Sequence, residues 1–525
     1  MSEKIRQLWK MLYGEEFTVL NRLEAFITEK ASLYTLNPPV ENWYTFGPVY
    51  CVYPDAFPGG FKGLSSRAEA LKDLGITVLW LLPCLSSPGQ DQGFDISDYS
   101  QTDPRYGSGE DFDHLLQTFH GVGIRVIFDI AINHSSDQHP WFLSAKKGPQ
   151  SPYRDYYHWA EDDKGYPQAD LIFKGMVNSN WTLNPDDGTY YFHRFYPFQP
   201  DLNYTNPHLI SEMIRTLVEW KLRGVDGFRM DAAPCLWKEE GTDCMNRPQV
   251  HTILKLFRAC LDVISPGTLF LAEANIPTGD LLEFFGQGDE CQSAYNFPLL
   301  PKFYQAIHAQ DPKVLIQAEF PALPPGGTWI TFLRLHDEVT LDLVPPEERP
   351  ALVHHFAPDH SLRFRGGEAF SGRLFNLLEN SPQCVLAAYS GLFSLPGTPL
   401  IYYGDEIAME NNREYYEKIS QETGYPDSRF FHRGPFDLIR ETQALSSIKS
   451  QNPPPARTVL DGLKEMLHFR REHREEFNRE PILEVEGKLL ISRRGNLTLV
   501  TNFSNLPQTY QGQTVEPWGR LWNKG

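Results

Sequence analysis

Short, continuous apolar runs alternate along this chain with longer amphipathic stretches, and that alternation restricts the possible folds more than any other feature. The runs are Val49–Val52, Val78–Leu82, Val126–Ile132, Gly227–Ala232, Leu269–Ala274, Ala294–Phe297, Trp329–Leu335 and Leu400–Tyr403. They are rich in β-branched and aromatic residues and nearly continuous in apolar character, so they read as strands covered on both faces, the pattern of a parallel sheet. Helix-periodic segments lie between several of them, among them Ser65–Leu74, Gly109–His120, Asn206–Lys221 and Val250–Val263. Eight such units predict an α/β fold, a (β/α)8 TIM barrel; periodicity alone leaves a doubly wound sheet open.

Two departures from this rhythm predict further domains. Residues 135–205 follow the third run and are aromatic, Pro- and Asp-rich without a clear period, which predicts an inserted subdomain. After residue 476 the pattern becomes short alternating strands, Lys488–Ser492 and Leu497–Val500, predicting a small C-terminal all-β domain over 476–525. Residues 1–41 are polar and helix-periodic, as in Ile5–Leu12, and predict an N-terminal helical extension packed on the rest of the chain. The barrel itself is expected over 42–134 and 206–475.

The chain carries 48 Lys and Arg against 67 Asp and Glu, a net charge of −19 with no basic block, so no nucleic-acid or anionic-membrane partner is expected. Its seven cysteines are scattered, with no CxxC pair and no His cluster at zinc spacing, which excludes a disulfide framework or zinc cage as the organising device. The start, Met-Ser-Glu-Lys-Ile-Arg, lacks the plan of a signal peptide, and no apolar run approaches the ~18 residues of a membrane span. A cytoplasmic protein is expected. Its oligomeric state is not legible.

Polar residues cluster at the C-terminal ends of the apolar runs. The third ends Asp129-Ile130-Ala131-Ile132-Asn133-His134; the fourth carries Arg229-Met230-Asp231; the fifth ends Glu273-Ala274-Asn275; the seventh leads into His336-Asp337-Glu338. In a barrel these ends face one mouth, where catalytic residues gather. One acid there is as well explained by a helix cap or a buried ion pair. Four acid-bearing ends together point to carboxylate chemistry.

These four segments, in this order, resemble the four signature regions of the α-amylase superfamily (glycoside hydrolase family 13), and the likeness covers about residues 42–410. Gln199-Pro200-Asp201-Leu202-Asn203 resembles the fifth region of the oligo-1,6-glucosidase-like branch. Asp91–Tyr99, Asn133–Phe142, Asp231–Asn246 and Gly286–Pro298 are similar to the trehalose synthases within that family. The resemblance implies a retaining glycoside hydrolase or transglucosylase on short α-glucosides, with an α-glucosidase as the first reading. The intramolecular isomerase, trehalose synthase, is the second, and a non-catalytic sugar-binding protein is a distant third.

The resemblance also implies roles. Asp231 would be the nucleophile, Glu273 the general acid/base and Asp337 the third carboxylate, gripping sugar hydroxyls. Arg229, two residues before Asp231 and on the same strand face, would hold it ionised. His134 and His336 would bond the glucose, Asp95 would bind its outer hydroxyls, and Phe94 stands where a stacking Tyr is usual. The 411–436 loop offers Arg413, Arg429 and Arg433 as cations for the same hydroxyls, with Arg429 the candidate taken forward. Such a clamp predicts a pocket closed beyond one glucose. In a retaining pair the carboxyls lie about 5–5.5 Å apart, and two anions so close resist each other, so Glu273 should keep its proton. Asp129 and Asn133 read as structural. Trp141, Trp159 and Trp181 read either as a sugar cleft or as the core of the insert. Tyr402–Glu406 reads as barrel architecture with a supporting acid.

Calcium is common among similar enzymes. The first-strand loop Pro54–Gly60 has one acid, Asp55, too few for a hard cation. A second, vestigial site would use Asn133, Asp201 and backbone at Cys235 and Leu236, with Lys238 where an acid is usual. Either the lysine ammonium replaces the ion or Glu239 supplies the lost carboxylate. No cofactor is expected.

Overall fold

The computed structural model describes residues 3–33, 42–447, 450 and 452–524. Eight parallel strands close into a barrel in sequential order: β1 (Val49–Val52), β2 (Val78–Leu81), β3 (Arg125–Ala131), β4 (Gly227–Asp231), β5 (Leu269–Ala272), β6 (Ser293–Tyr295), β7 (Thr328–Phe332) and β8 (Thr398–Tyr402). β8 pairs back onto β1 and leaves no free edge. Phe297 and Leu333–Leu335, apolar enough to read as strand, lie beyond the ladders of β6 and β7 and help build the mouth.

The crossover helices form for local reasons. Gly109–Gly121 starts at a capping box in which Ser108 and Asp111 each bond the other's backbone N–H. Pro207–Arg223 starts at the Asn206 cap and stops at Gly224, whose φ of 117° suits glycine. Its Leu209, Ile210, Met213, Ile214, Leu217 and Val218 form one apolar stripe turned to the barrel. Burying each such side chain stabilises by about 1.5–3 kcal/mol, and truncating Leu217 to Ala would cost about 2–5 kcal/mol.

Between β3 and β4 the chain makes a three-stranded antiparallel sheet of Trp159–Ala160, Tyr190–Phe192 and Trp181–Leu183. A bridge from His134 to Asp201 ties the end of this insert to the barrel mouth, and one from Tyr157 to Leu202 closes the insert on itself. Trp141, Trp159 and Trp181 pack on Tyr99, Phe142 and Tyr166, and none lines the cavity described below; they are core of the insert. At the other end, Ile482–Glu486, Leu489–Arg494, Leu497–Asn502 and Arg520–Lys524 form an antiparallel sheet. Arg494 holds it to the barrel by donating to the carbonyls of Ser394 (3.2 Å) and Leu395 (2.6 Å).

Helices Glu3–Tyr13 and Thr18–Leu33 bury Ile5, Trp9, Leu20, Leu23 and Ile27 and pack on Pro207–Arg223 and Pro248–Ile264. The expected boundary at 41/42 adjoins residues 34–41, which lie outside the described residues. All seven cysteines are buried and unpaired. Among the described residues no helix is long and apolar enough to cross a membrane.

Candidate active site

Strand register brings the acids together. Asp129 on β3 lies opposite Arg229 on β4, and Ala131 opposite Asp231. Met230 lies opposite Ala272 on β5, so the next step along both strands sets Asp231 beside Glu273. Neighbouring strands are about 4.8 Å apart, so side chains at adjacent strand ends are placed within the short range a retaining pair needs. The Arg229 guanidinium, wholly buried, donates to Asp129 Oδ1 (2.7 Å), to Asp231 and to Glu273. Trp80 Nε1 donates to the other Asp129 oxygen (3.1 Å). Asp129 thus anchors Arg229, and Arg229 spans the two reactive carboxyls. β4 is followed by Ala232, a non-glycine residue held at φ 48°, whose N–H donates to Glu273 Oε2 (2.9 Å). Strain of this kind persists where surrounding contacts over-determine it.

Three carboxyls around one guanidinium cannot all be charged out of water. Burial pushes Glu273 up to about 8; Arg229 opposes that shift, and the charges of Asp231 and Asp337 add to it. Burial lifts Asp231 and Asp129 to about 7 against the pull of Arg229. Near neutral pH the cluster therefore retains a proton, and Glu273, with the highest affinity, is its seat.

Asp337 follows β7 and sits in the opposite environment. His336 Nε2 lies 3.0 Å from its Oδ2, while Arg429 Nη1 (3.1 Å) and Arg433 Nη2 (3.2 Å) donate to its Oδ1. Burial alone would raise this carboxyl, but His336, Arg429 and Arg433 together hold it well below the usual carboxylate range. Burial pushes His134 down to about 4 and His336 well below its ordinary value, so both rings are neutral at neutral pH. Phe94 stacks on His336 at 5.1 Å and 14°.

One assignment changes. Asp95 does not reach the cavity: its fully buried carboxylate accepts from Ser87 Oγ (2.8 Å) and the Gln90 N–H (3.0 Å), folding its own loop. Asp91, four residues earlier, lines the cavity and lies 3.5 Å from both Arg429 Nη2 and Arg433 Nη1. The Gln199 amide donates to Asp91 Oδ2 (3.2 Å) and to His134 Nε2 (3.2 Å). Asp91 and Gln199 are not among the site candidates named from the motifs, although both stand in the motif segments themselves. Of the three candidate cations, Arg429 and Arg433 reach the site, whereas Arg413 pairs with Asp359 at the surface. Arg429 is further fixed by Asp427 (2.6 Å) and lies between the rings of Phe173 and Phe364. Behind β8, Asp405 accepts from Tyr389 and Glu406 from Tyr50, both wholly inside the structure.

The remaining expected site is filled by the chain itself. Lys238 Nζ donates to Asn133 Oδ1, to the Cys235 carbonyl and to Asp201 Oδ2, each at 2.6 Å, with Lys238 and Asp201 side chains fully buried. Burial alone would raise Asp201, but Lys238 and the Arg194 N–H hold it below its ordinary value. Glu239 turns away to Arg247 (2.8 Å).

The cavity over these groups measures about 370 Å³, the size of a small-molecule site. Asp91, Phe94, His134, Asp231, Glu273 and Asp337 line its inner end. Its outer part is walled by the insert and the 338–368 segment, which Lys174 and Glu368 join by a 3.5 Å ion pair.

Residues 18–325 match the family model of the alpha amylase catalytic domain. The chain is 39% identical over 413 residues to the trehalose synthase/amylase of Mycolicibacterium smegmatis, a match spanning 75% of this chain and 69% of that protein. It is 29% identical over 428 residues to the oligo-1,6-glucosidase of Halalkalibacterium halodurans, spanning 74% of this chain and 70% of that one. In fold it is similar to the isomaltulose synthase of Klebsiella sp. LX3, with a TM-score of 0.69 at 21% identity over 93% of this chain and all of that one. Barrel, acids and relatives agree: the chain belongs to the α-amylase family, glycoside hydrolase family 13, as an enzyme acting on carbohydrate.

Proposed function

We propose that this enzyme transfers single glucose units of short α-glucosides by double displacement, interconverting maltose and trehalose, with hydrolysis as a side reaction. The observation that carries the single-glucose part is the charged lining at the inner end of the cavity. There Asp91, Asp337, Arg429 and Arg433 form one ion network, and a polymer continuing past the first sugar would have to break it. Leaving such buried charges unpaired costs several kcal/mol, about 10²–10³-fold in binding or more. The α-glucosidase reading, ranked first from sequence, drops to second because trehalose synthases from several organisms are 34–40% identical, against 29% for the oligo-1,6-glucosidase. An alpha-glucosidase of Culex pipiens at 38% keeps it as the second reading.

In this reading Asp231 attacks the anomeric carbon as Glu273 gives its proton to the departing oxygen. Deprotonated Glu273 then takes a proton from the incoming hydroxyl. Arg229 is shared by both carboxyls, so neither step leaves an unpaired charge beneath the sugar. Asp337 stays ionised throughout and can grip hydroxyls as the ring distorts. We further infer that no calcium is needed at the Asn133–Asp201 site, where the ammonium of Lys238 already occupies the oxygen cage.

The test is product chromatography on maltose. Trehalose forming alongside glucose supports the reading; glucose alone returns it to an α-glucosidase. Efficient cleavage within a maltoheptaoside blocked at its non-reducing 4- and 6-hydroxyls would mean an open cleft.

A further inference from the structure

We propose that Arg194 holds the second sugar, and so determines whether the glucosyl group is returned to it or lost to water. This rests on the transfer reading above and names the residue that makes transfer possible.

Arg194 is the exception among the large buried cations around this cavity. Arg229, Arg429 and Arg433 each meet two or more carboxylates, and Arg365 meets Glu338 (3.0 Å) and Asp342 (2.8 Å). Arg194 lines the cavity and is 1% exposed, yet no carboxylate of the described residues pairs with it. Its single side-chain bond among them runs from Nη1 to the Asp243 carbonyl (2.9 Å), and its buried Nε has no partner. Its main chain is fixed, because the Arg194 N–H donates to Asp201 Oδ1 (2.8 Å) in the cage that Lys238 closes. The guanidinium is thus held in place and left unsatisfied. A buried cation with open donors calls for oxygen acceptors from a ligand.

Its place identifies the ligand. Arg194 makes no bond to Asp91, Asp337 or Arg429, where the first sugar would sit, and binds instead the loop that follows β4, whose Pro234, Cys235 and Met245 share its stretch of cavity wall. An anionic aglycone is disfavoured: Asp170, Glu338, Asp342 and Glu368 line the outer cavity, and the cations there, Lys174 and Arg365, are already paired. A neutral hexose, offering several hydroxyl acceptors in a plane, suits the planar fork of a guanidinium. While Arg194 keeps the released glucose, one of its hydroxyls can attack the anomeric carbon. The C1–O bond to Asp231 breaks, the new C1–O bond forms, and the hydroxyl proton passes to Glu273. Without that hold, water makes the same attack.

Arg194→Leu and Arg194→Lys are compared with the parent on maltose and on α-glucosyl fluoride, whose leaving group has no hydroxyl to hold. The ratio of kcat/KM between the substrates does not depend on the folded fraction, so partial misfolding does not obscure it. The expected result for Arg194→Leu is a loss on maltose at least tenfold greater than on the fluoride. The share of glucosyl transferred rather than hydrolysed should also fall about tenfold, with Arg194→Lys intermediate. Equal losses on both substrates with an unchanged product share would overturn the assignment. A parent that releases only glucose from maltose removes the transfer reading itself, and Arg194 is then decided by the substrate ratio alone.

Discussion

The two ends of the cavity are built on different principles. At the inner end every charge is answered several times over: Asp337 meets His336, Arg429 and Arg433, and Arg429 in turn meets Asp91 and Asp427. At the outer end Arg194 has one carbonyl, and the two walls meet through the Phe173–Phe364 ring contact and a Lys174–Glu368 pair whose side chains are about half exposed. Exposed pairs of that kind contribute about 0–1 kcal/mol. An over-determined region discriminates; a loosely bonded one accommodates. Under the proposed transfer reading, the first sugar is recognised strictly and the second is left room to turn.

The comparison can be tested from its strongest point outward. Asp231→Asn should remove turnover by about 10³-fold or more while leaving the melting temperature close to the parent's, and a trapping fluoroglucoside should label Asp231 in the parent. Labelling elsewhere would move the nucleophile and with it the centre of the inner end. Next in size, Asp91→Asn should lower kcat/KM for short glucosides by about 10²–10³-fold. Asp95→Asn should act chiefly on stability, by about 1–3 kcal/mol, since its bonds fold a loop. If the two exchange effects, Asp95 is the sugar ligand after all.

Glu273→Gln should harm substrates with poor leaving groups by about 10²–10⁴-fold and activated aryl glucosides much less. Because the parent needs this carboxyl protonated, its kcat/KM should fall as pH rises through about 8, and the variant should lose that limb on aryl glucosides. An unchanged alkaline limb would place the acid elsewhere. The smallest effect is expected from chelation: if Lys238 replaces the ion as inferred, the melting temperature and activity should not move, whereas a required ion that stabilises by mass action would be lost. A drop restored by added calcium would show a cation site outside the Lys238 cage.

Much of the barrel could be read in the chain because its strands are buried on both faces and carry that fact in composition. The reading overran at Phe297 and Leu333–Leu335, where apolar residues face the mouth and its packing rather than a neighbouring strand. The acids at strand ends were legible for the same geometric reason, since register fixes Asp231 beside Glu273 whatever the loops do. What failed was the distinction between Asp91 and Asp95. Both lie in one loop, and only the turn at Ser87–Gln90 decides that Asp95 faces inward and Asp91 faces the cavity. Arg433 reaches Asp91 across 342 residues of sequence, a contact that no local pattern encodes. The choice between Lys238 and Glu239 was likewise one of side-chain direction.

Lys238 changes the terms on which the mouth is assembled. An ion held between the insert and the barrel is a separate molecule, present only as often as its concentration and affinity allow, and its departure leaves Asp201 and Asn133 facing an emptied cage. An ammonium three residues from Cys235 is attached to the chain it organises, so its local concentration is set by four methylene groups rather than by the surroundings. The junction that positions Gln199, His134 and Arg194 is then complete once the polypeptide has folded. On the inference that no calcium is needed there, it has no loading step and nothing to exchange.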